Sequence, residues 1–293
     1  MSKLSLLIFI SIFGIAASTN AQHSHLRIVA WNIEHLAEHD GEGCVARNAS
    51  DYNALREFAA TINADVVALQ EVENEAAVAR VFPTDVWEIV LSKRPDSEPY
   101  ICRGSGRTST QQKVAYAIRK GVSHENLGSF EELTLNNPDL RHGLMLRLTD
   151  APSPIDVLNV HMKSGCFVNN YASSTKNACE TFEQQAPVLD GWMEERIQKN
   201  IGFIVLGDFN HRILEEGNRL WADLTTMHDA PVPLRSSMEN IRGCHPRYPA
   251  PIDHVLVGSV ALNYYKEGSG QVFYFTDKTM TEDDMLSDHC DVV

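Results

Sequence analysis

Residues 203–210 read FIVLGDFN, a short apolar run that ends in a glycine and then presents a carboxylate and an amide. Asp208 and Asn210 are two residues apart, so their side chains point to the same side of an extended chain. Gly207 supplies a turn at the edge of the sheet. A single acidic residue after a strand is usually an ordinary turn or helix cap. The stretch therefore predicts a strand with a polar end, and comparable stretches elsewhere decide its meaning.

Five further motifs place polar residues beside apolar runs. They are WNIE (31–34), QEVE (70–73), NVHMKSG (159–165), PIDH (251–254) and SDH (287–289). Carboxylate and amide oxygens suit hard divalent cations such as Mg²⁺, which keep several waters and bind few protein groups. A neighbouring imidazole adds a base. The ordered series predicts a metal site that hydrolyses phosphate esters.

Apolar runs also predict a set of buried strands. These lie at 26–33, 66–72, 86–91, 114–118, 144–148, 155–161, 203–206, 252–257 and 272–275. Strands that are apolar on nearly every residue are covered on both faces. Two such sheets packed together, with helices outside, give an α/β fold that is a four-layer αββα sandwich of two mixed β-sheets.

Three segments have the apolar spacing of helices. The first follows a cap at Asp51 and runs to Ile62, a short second one runs from Ala76 to Val81, and the longest covers 182–197.

The motif series resembles that of the endonuclease/exonuclease/phosphatase superfamily, which includes pancreatic-type deoxyribonucleases, abasic-site endonucleases, inositol polyphosphate phosphatases and neutral sphingomyelinases. The resemblance extends from about residue 26 to residue 289. It implies the same αββα sandwich and Mg²⁺-dependent hydrolysis of phosphate esters, with Mn²⁺ or Ca²⁺ as alternatives. The motifs are specific for the superfamily and do not specify a substrate.

The resemblance also implies roles for the polar residues at the strand ends. Glu71 with Asn32 holds the catalytic metal, and Asp288 approaches it through its own oxygen. Asp208 and Asn210 position the nucleophilic water and the phosphate. For any one of these residues, a capped strand end is the alternative.

Two histidines and two arginines complete the implied site. His289 is the general base or holds the charge of the phosphorane, and Asp253 orients its ring, as a carboxylate does in a His–Asp pair. His161 donates to a nonbridging phosphate oxygen or to the leaving group, or is a structural strand-end residue. Arg141 matches a phosphate-binding arginine, and Arg107 in GSGRTST is either a groove contact or a solvated loop charge.

Two positions depart from the deoxyribonuclease pattern. Thr110 and Gln112 stand where those enzymes place a Tyr and a Glu. Gln112 can hydrogen-bond His161 but cannot stabilise its positive charge, and Thr110 cannot stack near the scissile sugar. Both differences count against duplex cleavage of the pancreatic type and leave the metal site intact.

The N-terminus predicts export. Lys3, an apolar stretch at 4–17 and a cleavage point after Ala21 indicate a signal peptide at 1–21, with a retained anchor or a core helix as the alternative. Residues 22–293 contain no linker or repeat, so we expect one domain, secreted or periplasmic, without a transmembrane span. A monomer with no stable protein partner is expected.

Cysteine content fits an exported chain, because disulfides persist in oxidising compartments. Six cysteines allow about 15 connectivities. Cys166 and Cys179 bracket one polar loop and are paired first; Cys44 with Cys102 and Cys244 with Cys290 then follow by elimination. A single bridge with buried free thiols is the alternative.

The formal net charge is −14, which argues against tight nonspecific binding to a polyanion. It does not exclude a nuclease whose metal attracts the phosphate. We therefore expect an exported metal-dependent phosphodiesterase, a nuclease with DNA or RNA as substrate.

Two alternatives to a nuclease remain. The first is a phospholipid (sphingomyelinase-like) or sugar-phosphate esterase, for which residues 262–275 would form an aromatic hairpin like the membrane-inserting hairpin of bacterial sphingomyelinases. Because its aromatics lie on the arms and not at the tip, packing against the sheet is favoured. The second is a noncatalytic binding module. It is disfavoured because the chain retains Glu71, Asp208, Asp288 and His289.

Overall fold

A computed structural model of the chain describes residues 25–245, 249–275 and 285–293. The predicted signal peptide lies outside these residues. None of the helices within them is long and apolar enough to cross a membrane.

Two mixed β-sheets form the centre of the molecule. The strands are β1 (Ile28–Leu36), β2 (Val66–Val72), β3 (Trp87–Leu91), β4 (Lys113–Arg119), β5 (His124–Phe130), β6 (Gly143–Leu148), β7 (Ile155–His161), β8 (Gly202–Asp208), β9 (Thr226–Met227), β10 (Ala230–Pro231), β11 (Leu234–Ser236) and β12 (Asp253–Gly258). One of these sheets has the order β1-β2-β4-β3 and the other β11-β12-β8-β7-β6-β5, whereas β9 and β10 pair with each other in a short antiparallel ribbon outside both. Each sheet contains one parallel pair, β1 with β2 and β7 with β8.

Helices cover the outer face of each sheet. They are α1 (Ala49–Ile62), α2 (Glu75–Val81), α3 (Asn177–Gln198) and α4 (Arg219–Leu224). The predicted cap of α1 at Asp51 is wrong: Asn48 is the N-cap, and Asp51 accepts from the Asn48 backbone at 2.8 Å in a capping box. The polar residue three positions into a helix can look like its cap, because both positions favour Asp.

Apolar side chains fill three layers between these elements. Trp31 and Leu69 of the four-stranded sheet pack with Leu55 and Phe58 of α1. On the other outer face, Phe203 of β8 packs with α3, and a third cluster joins the two sheets. Helix, sheet, sheet and helix are thus held by continuous apolar contact, and the predicted αββα sandwich is confirmed.

The predicted hairpin at 262–275 is wrong. The chain instead forms a 3₁₀ helix (Ser259–Asn263), and Val272 makes only an isolated bridge to Val292. Phe273 and Phe275 pack against the α1 side of the core, where Phe275 lies 4.6 Å from the Phe58 ring. Their burial explains the apolar run without a strand pair. Strand β5 was not predicted, because its residues are polar and half-exposed at the edge of the sheet.

A β-bulge in β2 places Glu71 at the polar edge of the sandwich. The register of β2 on β4 shifts between Leu69 and Val72, and Glu71 within the bulge has φ 60°. Asn159 of β7, fully buried in the opposite sheet, donates from Nδ2 to Leu69 O at 3.0 Å and to Ala115 O at 2.9 Å, the pair that flanks the interruption. Its Oδ1 accepts from Gln70 Nε2 at 2.7 Å.

Replacing Asn159 should therefore destabilise the whole fold. Asn159→Leu has a similar volume but removes the donor of two buried carbonyls and leaves Gln70 Nε2 with only its bond to Ala68 O, so we expect the free energy of unfolding to fall by at least about 2 kcal/mol. Urea denaturation measures it, and Asn263→Leu, at an exposed position, should change it by less than about 0.5 kcal/mol. Equal stabilities of the two variants would contradict the role of Asn159.

Candidate active site

The ends of five strands meet at one edge of the sandwich. In the six-stranded sheet, His161 of β7 pairs with Asp208 of β8, which pairs with Asp253 of β12, so three polar side chains lie in one row. Gly207 has φ 129°, and a Cβ there would lie 2.2 Å from Val160 O. Only glycine permits this close passage of β7 and β8 just before Asp208.

Glu71 enters the site from the four-stranded sheet. Its Oε1 lies 3.5 Å from Asn32 Nδ2 and 3.8 Å from His161 Nε2. Its Oε2 accepts from the His35 backbone at 3.3 Å. These contacts are long, so the carboxylate has capacity for a further partner.

Asp208 is the centre of the hydrogen-bond network. Its Oδ2 accepts from Asn32 Nδ2 at 3.0 Å and from Asn210 Nδ2 at 2.9 Å. His161 Nε2 lies 3.5 Å from the same oxygen and His289 Nε2 lies 4.0 Å from it. Through Asp208 the two sheets and the C-terminal segment share one polar cluster.

His289 forms a pair with Asp253. Its Nδ1 lies 2.7 Å from Asp253 Oδ2, which fixes Nδ1 as the protonated nitrogen and turns Nε2 towards Asp208. Asp288, half-exposed, lies with Oδ1 3.8 Å from the same Nε2. The eight residues of the predicted metal and catalytic set are thus brought together in one network: Asn32, Glu71, His161, Asp208, Asn210, Asp253, Asp288 and His289.

Charges within the cluster shift its pKa values in opposite directions. Burial alone would raise the pKa of Glu71, but the cationic forms of His161 and His35 and the permanent charge of Arg141 lower it to about 2. Burial and Arg141 lower the pKa of His161 to about 3, so its ring is neutral at neutral pH. Arg141 is therefore the permanent cation that helps keep Glu71 ionised.

Asp208 and His289 are shifted upwards. Burial raises the pKa of Asp208 to about 7, against the opposing charge of His289. Burial would lower the pKa of His289, but Asp253, Asp288 and Asp208 raise it well above the ordinary value. The cluster thus combines an ionised carboxylate, a neutral imidazole and an imidazolium.

The donor set fits a divalent cation. Glu71 offers an ionised carboxylate with weak protein contacts. Asp208, Asp253 and His289 offer ligand atoms that all lie within 4.8 Å of one another, and Asp253 Oδ1 is buried without a hydrogen-bond partner. Asn32 differs from its implied ligand role, because its Oδ1 accepts from Glu34 N at 3.1 Å and its Nδ2 faces the carboxylates.

Sequence comparison agrees with this geometry. The sequence model of the Endonuclease/Exonuclease/phosphatase family matches residues 29–289. The chain belongs to the Endonuclease/Exonuclease/phosphatase family. A comparison with curated proteins finds no significant match. Members of the family are typically metal-dependent phosphodiesterases or nucleases.

Solved structures share the fold of this family member. D. rerio TDP2 complexed with single strand DNA product has 13% identity and a TM-score of 0.57, with 91% of this chain and 96% of that chain covered. The endonuclease/exonuclease/phosphatase from Bacteroides vulgatus has 18% identity, a TM-score of 0.55 and coverages of 91% and 96%. The human Nocturnin catalytic domain with bound sulfate anion has 17% identity, a TM-score of 0.55 and coverages of 92% and 93%. At such identities the likeness establishes the shared fold alone.

The two arginines expected to bind substrate are both engaged by other protein groups. Arg141 donates to Gln112 Oε1 and to Asp139 O. Arg107 donates to the backbone carbonyls of Gly41 and Gly43, so part of its guanidinium holds the loop after β1.

The amide of Gln112 faces a different histidine from the expected one. Its Nε2 lies 3.1 Å from the His35 ring, and its Oε1 accepts from Arg141. His35 itself was missed by sequence reasoning, and its Nε2 lies 3.4 Å from Glu71 Oε2. The only signal was its position directly after WNIE.

Each of the three disulfides fastens a segment that follows a strand of the site or His289. Cys166–Cys179 closes the loop after β7, Cys44–Cys102 joins the loop after β1 to the segment that carries Arg107, and Cys244–Cys290 ends beside His289. The structure thus contains the pairing expected from the sequence. Such bonds are typical of proteins that fold in oxidising compartments.

Asp253→Asn tests the His289 pair. The amide keeps the shape of Asp253 but removes its charge, so turnover at saturating metal should fall by about 10²-fold or more. Phosphodiester hydrolysis over a range of Mg²⁺ concentrations measures it, with the exposed Asp229→Asn as control. Recovery of full turnover at high Mg²⁺ would instead make Asp253 a metal ligand, and unchanged kinetics would exclude both roles.

Proposed function

We propose that this protein is an exported, Mg²⁺-dependent phosphodiesterase and that its substrate is nucleic acid. The observation that supports it most is the Asp208 cluster, in which Glu71 and Asn32 from one sheet meet His161 and the Asp253–His289 pair from the other. A capped strand end would not require polar groups from both sheets to share one carboxylate.

Glu71 would hold the ion, together with an oxygen of Asp288, and Asn32 would keep Glu71 and Asp208 in place through its Nδ2. When bound, Mg²⁺ would supply charge neutralisation at the phosphate and polarisation of the ester. On the protein side, Asp208 and Asn210 are placed to orient a water.

The residues around Asp208 carry out the proton transfers. Oδ2 of Asp208, 4.0 Å from Nε2 of His289, takes the proton of the attacking water, and the His289 imidazolium holds the charge of the phosphorane. The neutral His161 is placed to donate to a nonbridging oxygen or to the leaving group.

Nucleic acid is the preferred substrate on two grounds. The fold is shared with a TDP2 that was solved with a single-strand DNA product. Arg141 lies close enough to lower the pKa values of both His161 and Lys163, so a local group of cations borders the cleft of a chain with net charge −14. The sphingomyelinase-like alternative loses its support, because residues 262–275 do not form a hairpin.

Export is supported by the N-terminal pattern at 1–21 together with the three disulfides. We propose that residues 22–293 form a single, monomeric domain.

A substrate panel tests the proposal directly. Plasmid, single-stranded DNA, RNA, sphingomyelin and inositol phosphates are incubated with the protein and Mg²⁺, Mn²⁺, Ca²⁺ or EDTA. We expect cleavage of a nucleic acid with Mg²⁺ and none with EDTA. Hydrolysis of sphingomyelin or inositol phosphates alone would overturn the substrate, and equal rates in EDTA would overturn the metal dependence.

Single variants test the chemistry. His289→Ala and Asp208→Asn should each lower kcat by at least about 10²-fold, the scale of general-base and electrostatic groups. The exposed His228→Asn, in the turn between β9 and β10, is the control and should retain kcat within about twofold. Near-normal hydrolysis by His289→Ala on every substrate would refute the assigned mechanism.

A further inference from the structure

A buried arginine lies beneath the active site without touching its reacting groups. Arg47, in the loop between β1 and α1, is only 4% exposed. Its Nη1 donates to Glu34 O at 2.7 Å, and its Nη2 donates to Ile33 O at 3.1 Å and to Leu286 O at 2.9 Å. A longer bond of 3.4 Å reaches His35 O. One guanidinium therefore binds carbonyls from both ends of the described chain.

Three of these carbonyls belong to an irregular part of β1. Glu34 and His35 have φ values of 50° and 48°, and the register of β1 on β2 shifts between Asn32 and Leu36. Left-handed residues of this kind interrupt the ladder, so their carbonyls need other partners. Arg47 supplies them and fixes the bend that follows Asn32.

The fourth carbonyl belongs to the segment that carries His289. Ser287 Oγ donates to Asn32 O at 2.7 Å, and Asp288 N donates to Glu34 Oε2 at 2.9 Å. His289 N in turn donates to Ser287 Oγ at 3.2 Å. Residues 286–289 are thus attached to the bend in β1 at three successive positions.

We propose that Arg47 is a positioning residue, which holds residues 286–289 against the bend of β1 and thereby sets the distance between His289 and the Asn32–Glu71 side of the site. The hydrogen bonds of Arg47 described above all go to backbone carbonyls. Its charge also acts on the carboxylates of Glu34 and Asp288, so a test of the hydrogen bonds must keep that charge. The inference rests on the proposed phosphodiesterase function, since His289 and Glu71 must act on one phosphate.

The geometry requires a guanidinium. Its planar fork presents donors in several fixed directions, whereas a lysine ammonium is a compact point charge on a flexible stem. A lysine in place of Arg47 could keep the buried charge and some of the β1 contacts, but it could not span all of the carbonyls in β1 and at Leu286 together. Misplacement of a catalytic group by about 1 Å can cost about 10²-fold in rate.

Arg47→Lys is the primary test, with Arg119→Lys as the matched control. Arg119 also donates to a backbone carbonyl, Ala64 O, but from the other end of β4. With bis(4-nitrophenyl) phosphate and saturating Mg²⁺, we expect Arg47→Lys to lower kcat by about 10- to 100-fold with KM within about threefold. Arg119→Lys should keep kcat within about twofold, and urea denaturation gives the stability of both variants.

Ser287→Ala tests the same attachment without changing a buried charge, and it covers the case in which Arg47→Lys does not fold. It removes the bond to Asn32 O, so kcat should fall with KM retained. Normal kcat in a folded Arg47→Lys or, if that variant does not fold, in Ser287→Ala would overturn the proposal. The proposal would also be overturned if each variant lost activity only in proportion to its unfolded fraction.

Hydrogen exchange separates this inference from the proposed function. In Arg47→Lys the amides of Asp288 and His289 should exchange faster than in the unmodified protein, while Arg119→Lys should leave them unchanged. If the unmodified protein hydrolyses no phosphodiester, the proposed function fails but this measurement still tests the attachment. Unchanged exchange at both amides would show that Arg47 does not hold the segment.

Discussion

The hydrogen bonds of the Asn159 side chain connect the fold to the site. A bulge in β2 turns Glu71 out of the ladder, and any such bulge disturbs the pairing of the strands around it. Asn159 reaches across from the other sheet and donates to the carbonyls of Leu69 and Ala115, the last cross-strand pair before the bulge. An unpaired buried carbonyl is costly. Glu71 can therefore keep this orientation only while the two sheets are packed together. The polar edge is therefore a product of the whole sandwich.

The strand ends could be predicted from the sequence, whereas the irregular backbone between them could not. Apolar runs such as FIVLG indicate buried strands directly. The two sheets and the polar residues at their common edge could therefore be predicted. Left-handed backbone at Glu34 has no local signal, because glutamate is not enriched there. His35 belongs to a residue type that is enriched there, but one histidine does not locate a bend. The contacts of His35 and Arg47 depend on that bend and were missed for this reason. The run at 272–275 was wrongly predicted to be one arm of a hairpin. Phe273 and Phe275 are partly buried against the α1 side of the core, and two alternating apolar residues give the same sequence pattern as a strand.

The electrostatics of the edge differ from those of the molecule as a whole. A net charge of −14 repels a polyanion over most of the surface. Around Glu71, however, Arg141 and the His289 imidazolium both lower the pKa of the carboxylate, so positive charge is concentrated there. Attraction for phosphate is thereby confined to a small region, where an ion would add to it. Such a surface favours contact at one phosphate over extended contact along a chain.

The order of the cysteines affects how the chain can oxidise. Each cysteine pairs with the next one along the sequence, Cys44 with Cys102, Cys166 with Cys179 and Cys244 with Cys290. In a chain that emerges from its N-terminus, every bridge can form as soon as its second thiol appears, before the next cysteine competes for it. Native pairing then needs no exchange between mixed disulfides. The loops around the site can be closed one after another in the direction of synthesis, and the bridge beside His289 is the last to form.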